Sequence, residues 1–230
     1  MLTIDHIVLS STDLARDAAA LEERLGVPLS EGGKHALFGT HNKLLRLGDI
    51  YLELIAIDPD APKPERARWF ALDDFSGDMR LTNWVMATEK PRRVIGKTLM
   101  GTGELITVSR GDLTWQITVP KSGKLPLDGF APAIIDWMGA TTPTERLPDV
   151  GCTLEKFVVS HPHAISLRSF LSPLHSDPRV DVRGSEVPSF HATLKTPKGT
   201  VTLTSCSAML HLMTPLRLPI FGTITSATPW

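Results

Sequence analysis

The stretch "GDIYLELIAIDPDAP", residues 48–62, decides how this chain is read. Ile50 to Ala56 is one apolar run interrupted only by Glu53. Bounded by Gly48-Asp49 and Asp58-Pro59, it reads as a strand. Alternate residues of a strand share a face, so Leu52, Leu54 and Ala56 face one way and Tyr51, Glu53 and Ile55 the other. A carboxylate in a half-buried strand is costly unless it is paired, solvated or bound to a cation.

Upstream, "LTIDHIVLS" (2–10) reads as a strand and "STDLARDAAALEERLGVP" (11–28) as a helix. Leu14, Ala18, Leu21 and Leu25 recur at helical spacing, Ser11 or Thr12 can cap the start, and Gly26 with Pro28 ends it. "KHALFGT" (34–40), "NKLLRLG" (42–48) and "IYLELIAI" (50–57) read as three strands, giving β-α-β-β-β. The order returns downstream. "LTNWVMATE" (81–89) reads as a strand and "KPRRVIGKTL" (90–99) as a short helix or turn. A hairpin turns at Arg110-Gly111-Asp112, and "APAIIDWMG" (131–139) is a last strand. After the Thr/Pro-rich link "ATTPTERLPD" (140–149), residues 151–205 give the same order a third time. Repetition at one period is the main organisational signal. The expected fold is α+β: repeated βαβββ units whose curved mixed sheets surround a central cup. Units one and two (1–139) form the cup. The third packs on them or pairs across a homodimer. The apolar, Pro-punctuated tail 206–230 is left unplaced.

Strand phase selects the polar candidates. Ile4, His6, Val8 and Ser10 share the face away from the helix in the first strand, as Glu53 does in the last. In "APAIIDWMG", Asp136 takes the place in the second unit that Glu53 takes in the first. Gly39 suits a turn. Asn42 reads as a turn cap or, with His41, as a substrate contact at the rim.

Composition narrows the function classes. Of 230 residues, 42% are hydrophobic and 21% charged, as in a globular protein, and a net charge of −1 gives no pull toward nucleic acid or an anionic membrane. Cys152 and Cys206 form no CxxC, and the N-terminus lacks the pattern of a secretory leader, so a cytoplasmic setting is expected. The uncharged run 199–216 is too polar to suggest a membrane span.

The segments "DHIVLSSTDL" (5–14), "GTHNKLLRLGDIYLELIAID" (39–58) and "APAIIDWMG" (131–139) together resemble the vicinal oxygen chelate superfamily (glyoxalase, bleomycin-resistance and dioxygenase proteins), more narrowly its glyoxalase-like domain proteins. The resemblance covers 1–139 well and reaches more weakly to about 205. It implies a divalent metal (Zn, Fe, Mn or Ni) held in the cup by the first and last strands of each unit. Carried over, the ligands are His6, Glu53 and Asp136. The fourth position falls on Asn83, a poor transition-metal ligand, or on Trp84 after a one-residue slip. Substrate contacts fall to His41, Asn42, Tyr51, Asn83 and Trp84.

The implied activity is metal-dependent glyoxalase- or dioxygenase-like chemistry on a small oxygenated molecule, by chelation and oxyanion stabilisation. Without a metal, Glu53 is the expected general base, its pKa raised by burial. The alternative is a small-molecule binding protein that uses the same cup without turnover.

Overall fold

The computed structural model describes residues 1–96, 101–175 and 177–205, so the tail 206–230 lies outside the described residues. The first unit comprises β1 (Thr3–Ser11), α1 (Leu14–Leu25), β2 (Ser30–His35), β3 (Thr40–Leu47) and β4 (Ile50–Ile57). The second comprises β5 (Arg80–Ala87), α2 (Pro91–Ile95), β6 (Glu104–Arg110), β7 (Leu113–Val119) and β8 (Ala133–Asp136). After the one-turn α3 (Pro143–Arg146) come β9 (Thr153–His161), α4 (Ala164–Leu171), β10 (Val180–Gly184), β11 (Ser189–Thr196) and β12 (Gly199–Thr204).

The first two units share an eight-stranded sheet in the order β2-β3-β4-β1-β5-β8-β7-β6, curled into a half-barrel. The third forms a four-stranded sheet, β10-β9-β11-β12. The units meet where β1 runs antiparallel to β5. Within each unit the first and last strands are parallel, β1 to β4 and β5 to β8.

The helix of the first unit is placed by its sequence. Asp13 accepts a hydrogen bond from the Arg16 N–H and is the N-cap, where Ser11 or Thr12 was expected; Ser11 instead donates to Asp17. Gly26 ends the helix in the left-handed region (φ 76°). The first edge strand differs from expectation. It starts at Ser30 and ends at His35, because residues 36–39 turn rather than extend.

Among the described residues the helix of the second unit, α2, has five residues where that of the first has twelve. That leaves the outer face of β5 and β8 short of cover. The third unit supplies it: Trp84, Met86 and Ile134 pack in one core with Phe157, Phe190 and Leu194. The third unit thus packs on the first pair within the chain. Leu2 N–H donates to the Leu174 carbonyl at 2.7 Å, and Arg179 bridges to Asp49. A second core, including Val8, Phe38, Tyr51, Trp69, Trp115 and Trp137, fills the concave side.

Candidate active site in the half-barrel

The concave face is set by strand register. His6 lies opposite Tyr51, and Val8 opposite Glu53. His6, Tyr51 and Glu53 therefore point into the half-barrel, while Ile7, Leu52 and Leu54 point to the outer core. A bulge in β1 between Ile4 and His6 resets the phase. It puts Ile4 on the outer face, where simple alternation placed it with His6. It also swings Asp5, expected on the helix side, in beside His6.

The result is a chain of buried polar groups. Asp5 accepts from Trp137 Nε1 at 2.8 Å through Oδ2 and meets His6 Nδ1 at 2.6 Å through Oδ1. His6 Nε2 faces Glu53 Oε2 at 3.5 Å. Asn42 Nδ2 donates to Glu53 Oε1 at 2.5 Å. Asn42 Oδ1 accepts from the Gly33 N–H at 2.9 Å and from Arg110 Nη1 at 3.1 Å. Arg110 Nη1 also lies 3.4 Å from His35 Nε2, and His35 Nδ1 lies 3.1 Å from Thr40 Oγ1. The His6 and Tyr51 rings stack at 4.4 Å. Gly32 and Gly33 make room for this chain. A Cβ on Gly32 would lie 2.0 Å from Asn42 Oδ1, and one on Gly33 2.6 Å from Arg110 Cδ.

Burial alone would lower the His6 pKa, but its hydrogen bonds and charge pairing with Asp5 and Glu53 raise it to about 9. Burial would raise the Glu53 pKa, yet His6, His35 and Asn42 hold it below the ordinary value. The expected raised carboxyl is thus not found: desolvation is the largest single influence, but the hydrogen bonds and charges of His6, His35 and Asn42 together outweigh it. At neutral pH the floor holds His6 as an imidazolium, between Asp5 and Glu53. His35 behaves oppositely. Burial, helped by Arg110, lowers its pKa to about 4, so it is neutral. Accepting from Arg110 at Nε2 leaves its proton on Nδ1, facing Thr40. Burial also raises the Tyr51 pKa, and the charges of Asp5 and Glu53 push it further up.

The structure brings His6, Glu53, Asn42 and Tyr51 together and leaves the other candidates elsewhere. Ile135 in β8 and Trp137 just after it face the concave side, so Asp136 between them falls out of phase. Its carboxylate accepts from the Met138 N–H at 2.8 Å, and the residue lines a separate surface cavity. His41 pairs with Ala56 and lies on the face opposite Asn42. Trp84 is in the outer core, its Nε1 donating to the Phe130 carbonyl at 2.9 Å. Asn83 lies opposite Val8, not His6, and lines a different cavity.

The four-donor centre implied by the resemblance can be tested by register. His6 and Glu53 occupy the first-unit positions. In the second unit Val85 lies opposite His6, and Ile135 stands where Glu53 stands in the first. Both are apolar. His35 could add a nitrogen, but its Nε2 faces the Arg110 guanidinium. Among the described residues no cluster of three His, Cys, Asp or Glu side chains is arranged to hold a metal. These residues do not fit the implied metal centre.

Asp5, His35, Trp69 and Arg110 escaped the sequence reading. Asp5 depends on a bulge, His35 falls near the start of a segment whose pattern predicts a strand, and Arg110 falls in a predicted hairpin turn. Trp69 belongs to the short 3-10 segment Trp69–Asp74 that crosses between the units. Its ring stacks on Phe38 at 4.1 Å, and only about 20 Å³ remains free beneath it.

Paired βαβββ units closing one half-barrel have the architecture of the vicinal oxygen chelate fold. The glyoxalase-like domain model matches residues 4–174, about three quarters of the chain, and the chain belongs to that family. Among solved structures, a hypothetical protein from Staphylococcus aureus shares the fold with a TM-score of 0.55 at 16% identity, over 82% of this chain and 88% of that one. A Streptomyces coelicolor methylmalonyl-CoA epimerase aligns over 59% of this chain and 98% of its own, with TM-score 0.42 and 16% identity. A 4-hydroxymandelate synthase mutant from the same organism aligns over 87% and 62%, with TM-score 0.39 and 17% identity. No curated protein matches the sequence. No helix among the described residues is long and apolar enough to cross a membrane.

Proposed function

We propose that the half-barrel is the active site of an enzyme that moves a proton next to a carbonyl in a small oxygenated molecule. The observation that carries this reading is the buried chain Asp5–His6–Glu53, with His6 as an imidazolium, facing a cup walled by aromatic and aliphatic side chains and by His35, Asn42 and Arg110. Asp5 orients and charges His6. Glu53 is the group that accepts the substrate's C–H proton. As the bond electrons shift to the carbonyl oxygen, His6 Nε2–H donates a hydrogen bond to the developing oxyanion. Glu53 then returns the proton. Arg110, from the opposite unit, holds a second substrate oxygen near the mouth.

Metal chelation was the form implied by resemblance. It is replaced here by His6 and Arg110 as the fixed positive charges, because the second-unit donors are missing.

Incubating small α-hydroxy and α-keto carbonyl compounds in D2O tests the proposal. Wild type catalyses exchange at the carbon beside the carbonyl, and Glu53→Gln slows it about 100-fold. Exchange that survives unchanged in Glu53→Gln removes Glu53 from the chemistry. The second reading is a small-molecule binding protein without turnover, favoured by the low pKa of Glu53 and by the partners that both its oxygens already have. Binding in the cup with no exchange on any compound selects it.

A further inference from the structure

A second cavity, of about 340 Å³, opens where the 3-10 segments Trp69–Asp74 and Leu127–Gly129 approach β5 and β11. It is larger than the free space over His6 and Glu53, and it is ligand-sized. Its apolar walls include Phe70, Phe75, Leu125, Phe130 and Phe190. The rim charges are largely spent on one another or on backbone. Lys124 pairs with Asp74 at 2.8 Å, Arg80 donates to the Ser76 and Asp78 carbonyls, and Asp128 is exposed to water.

One polar group in the wall is unanswered. Asn83 is 3% exposed, and among the described residues its Oδ1 has no hydrogen-bond partner. Its Nδ2 points to the Gly129 carbonyl at 3.4 Å, so flipping the amide would set two acceptors against each other. A buried acceptor left unpaired is expensive, and such groups mark sites completed by something else.

The backbone adds an independent sign. Among described non-glycine residues, five have positive φ, and four of them, Phe70, Ala71, Leu127 and Asp128, lie in the two segments that frame this cavity. Strained conformations of this kind concentrate where a ligand is clamped.

We propose that this cavity is a second small-molecule site, taking an uncharged aromatic molecule with one N–H or O–H donor, which Asn83 Oδ1 accepts. The aromatic walls set the ring, and the single orphan acceptor sets its orientation. The proposal is independent of the reaction assigned to the half-barrel.

Indole and 1-methylindole share a ring system and differ in the donor. Titrated into the full chain by calorimetry, indole binds about tenfold more tightly. In Asn83→Ala that preference disappears, while Glu53→Gln leaves it intact. Phe75→Ala, at a partly buried wall position, weakens both compounds together and serves if Asn83→Ala does not fold. Equal affinity of the two compounds for wild type, absence of binding, or loss of binding in Glu53→Gln each overturns the proposal.

Discussion

His6 and His35 lie in one cup with opposite electrostatic fates, and stability should report both. The His6 pKa rises from the ordinary 6.5 to about 9 in the folded protein. Its contribution is complete below about pH 6.5 and is lost as pH climbs to about 9. It amounts to about 3 kcal/mol, at about 1.4 kcal/mol per tenfold change in proton affinity. The His35 pKa falls to about 4, so its contribution is complete above about pH 6.5 and is lost as pH drops toward 4. Urea unfolding across this range should show stability declining on both sides of about pH 6.5. His6→Gln should flatten the alkaline limb and His35→Gln the acid limb. An alkaline limb that is unchanged in His6→Gln refutes the charge assignment. Asp5→Asn should bring the His6 titration, followed by NMR, down toward the ordinary histidine range.

At the scale of elements, the five-residue α2 explains why the back of β5 needs the third unit. Phe157 lies 5.5 Å from both the Trp84 and Phe190 rings. Phe157→Ala should cost about 3–5 kcal/mol, read from the denaturant midpoint. A cost below about 1 kcal/mol would mean that this contact is not a principal anchor. Gly33→Ala, by displacing Arg110, should disturb the pair across the half-barrel with little loss of sheet.

The order of elements was legible in the sequence because hydrophobic period and turn residues act locally. Site geometry was legible only where strands are regular. In β4, alternation placed Tyr51 and Glu53 on the correct face. In β1 one bulged residue moved Ile4 and Asp5. In β8 the second-unit phase was one residue off, which put Asp136 where Ile135 stands. Arg110 meets His35 and Asn42 only because β2 and β6 curl toward each other, a long-range closure that no local pattern reports.

For the whole molecule, two outcomes separate this half-barrel from the metal centre that its sequence implies. Protein purified without chelator should carry well below one equivalent of Zn, Fe, Mn or Ni, and EDTA should not shift its unfolding temperature. A stoichiometric metal that is lost in Glu53→Ala would restore the chelate reading. Residues 1–150 expressed alone should lack a sharp thermal transition and should bind the dye ANS, because the outer faces of Trp84, Met86 and Ile134 are left wet. A cooperative transition equal to that of the full chain would show that the two-unit sheet stands alone.

The third unit's cover over the second has a consequence during synthesis. Strand β8 ends at Asp136, and β12, the last strand of the covering sheet, ends at Thr204. At about 5–20 residues per second, a ribosome takes several seconds to add that cover. Throughout that interval the nascent half-barrel has its hydrogen bonds available but an aromatic back exposed. The cell must keep Trp84 from other chains until Phe157 and Phe190 arrive, so the yield of folded protein depends on the pace of translation as well as on final stability.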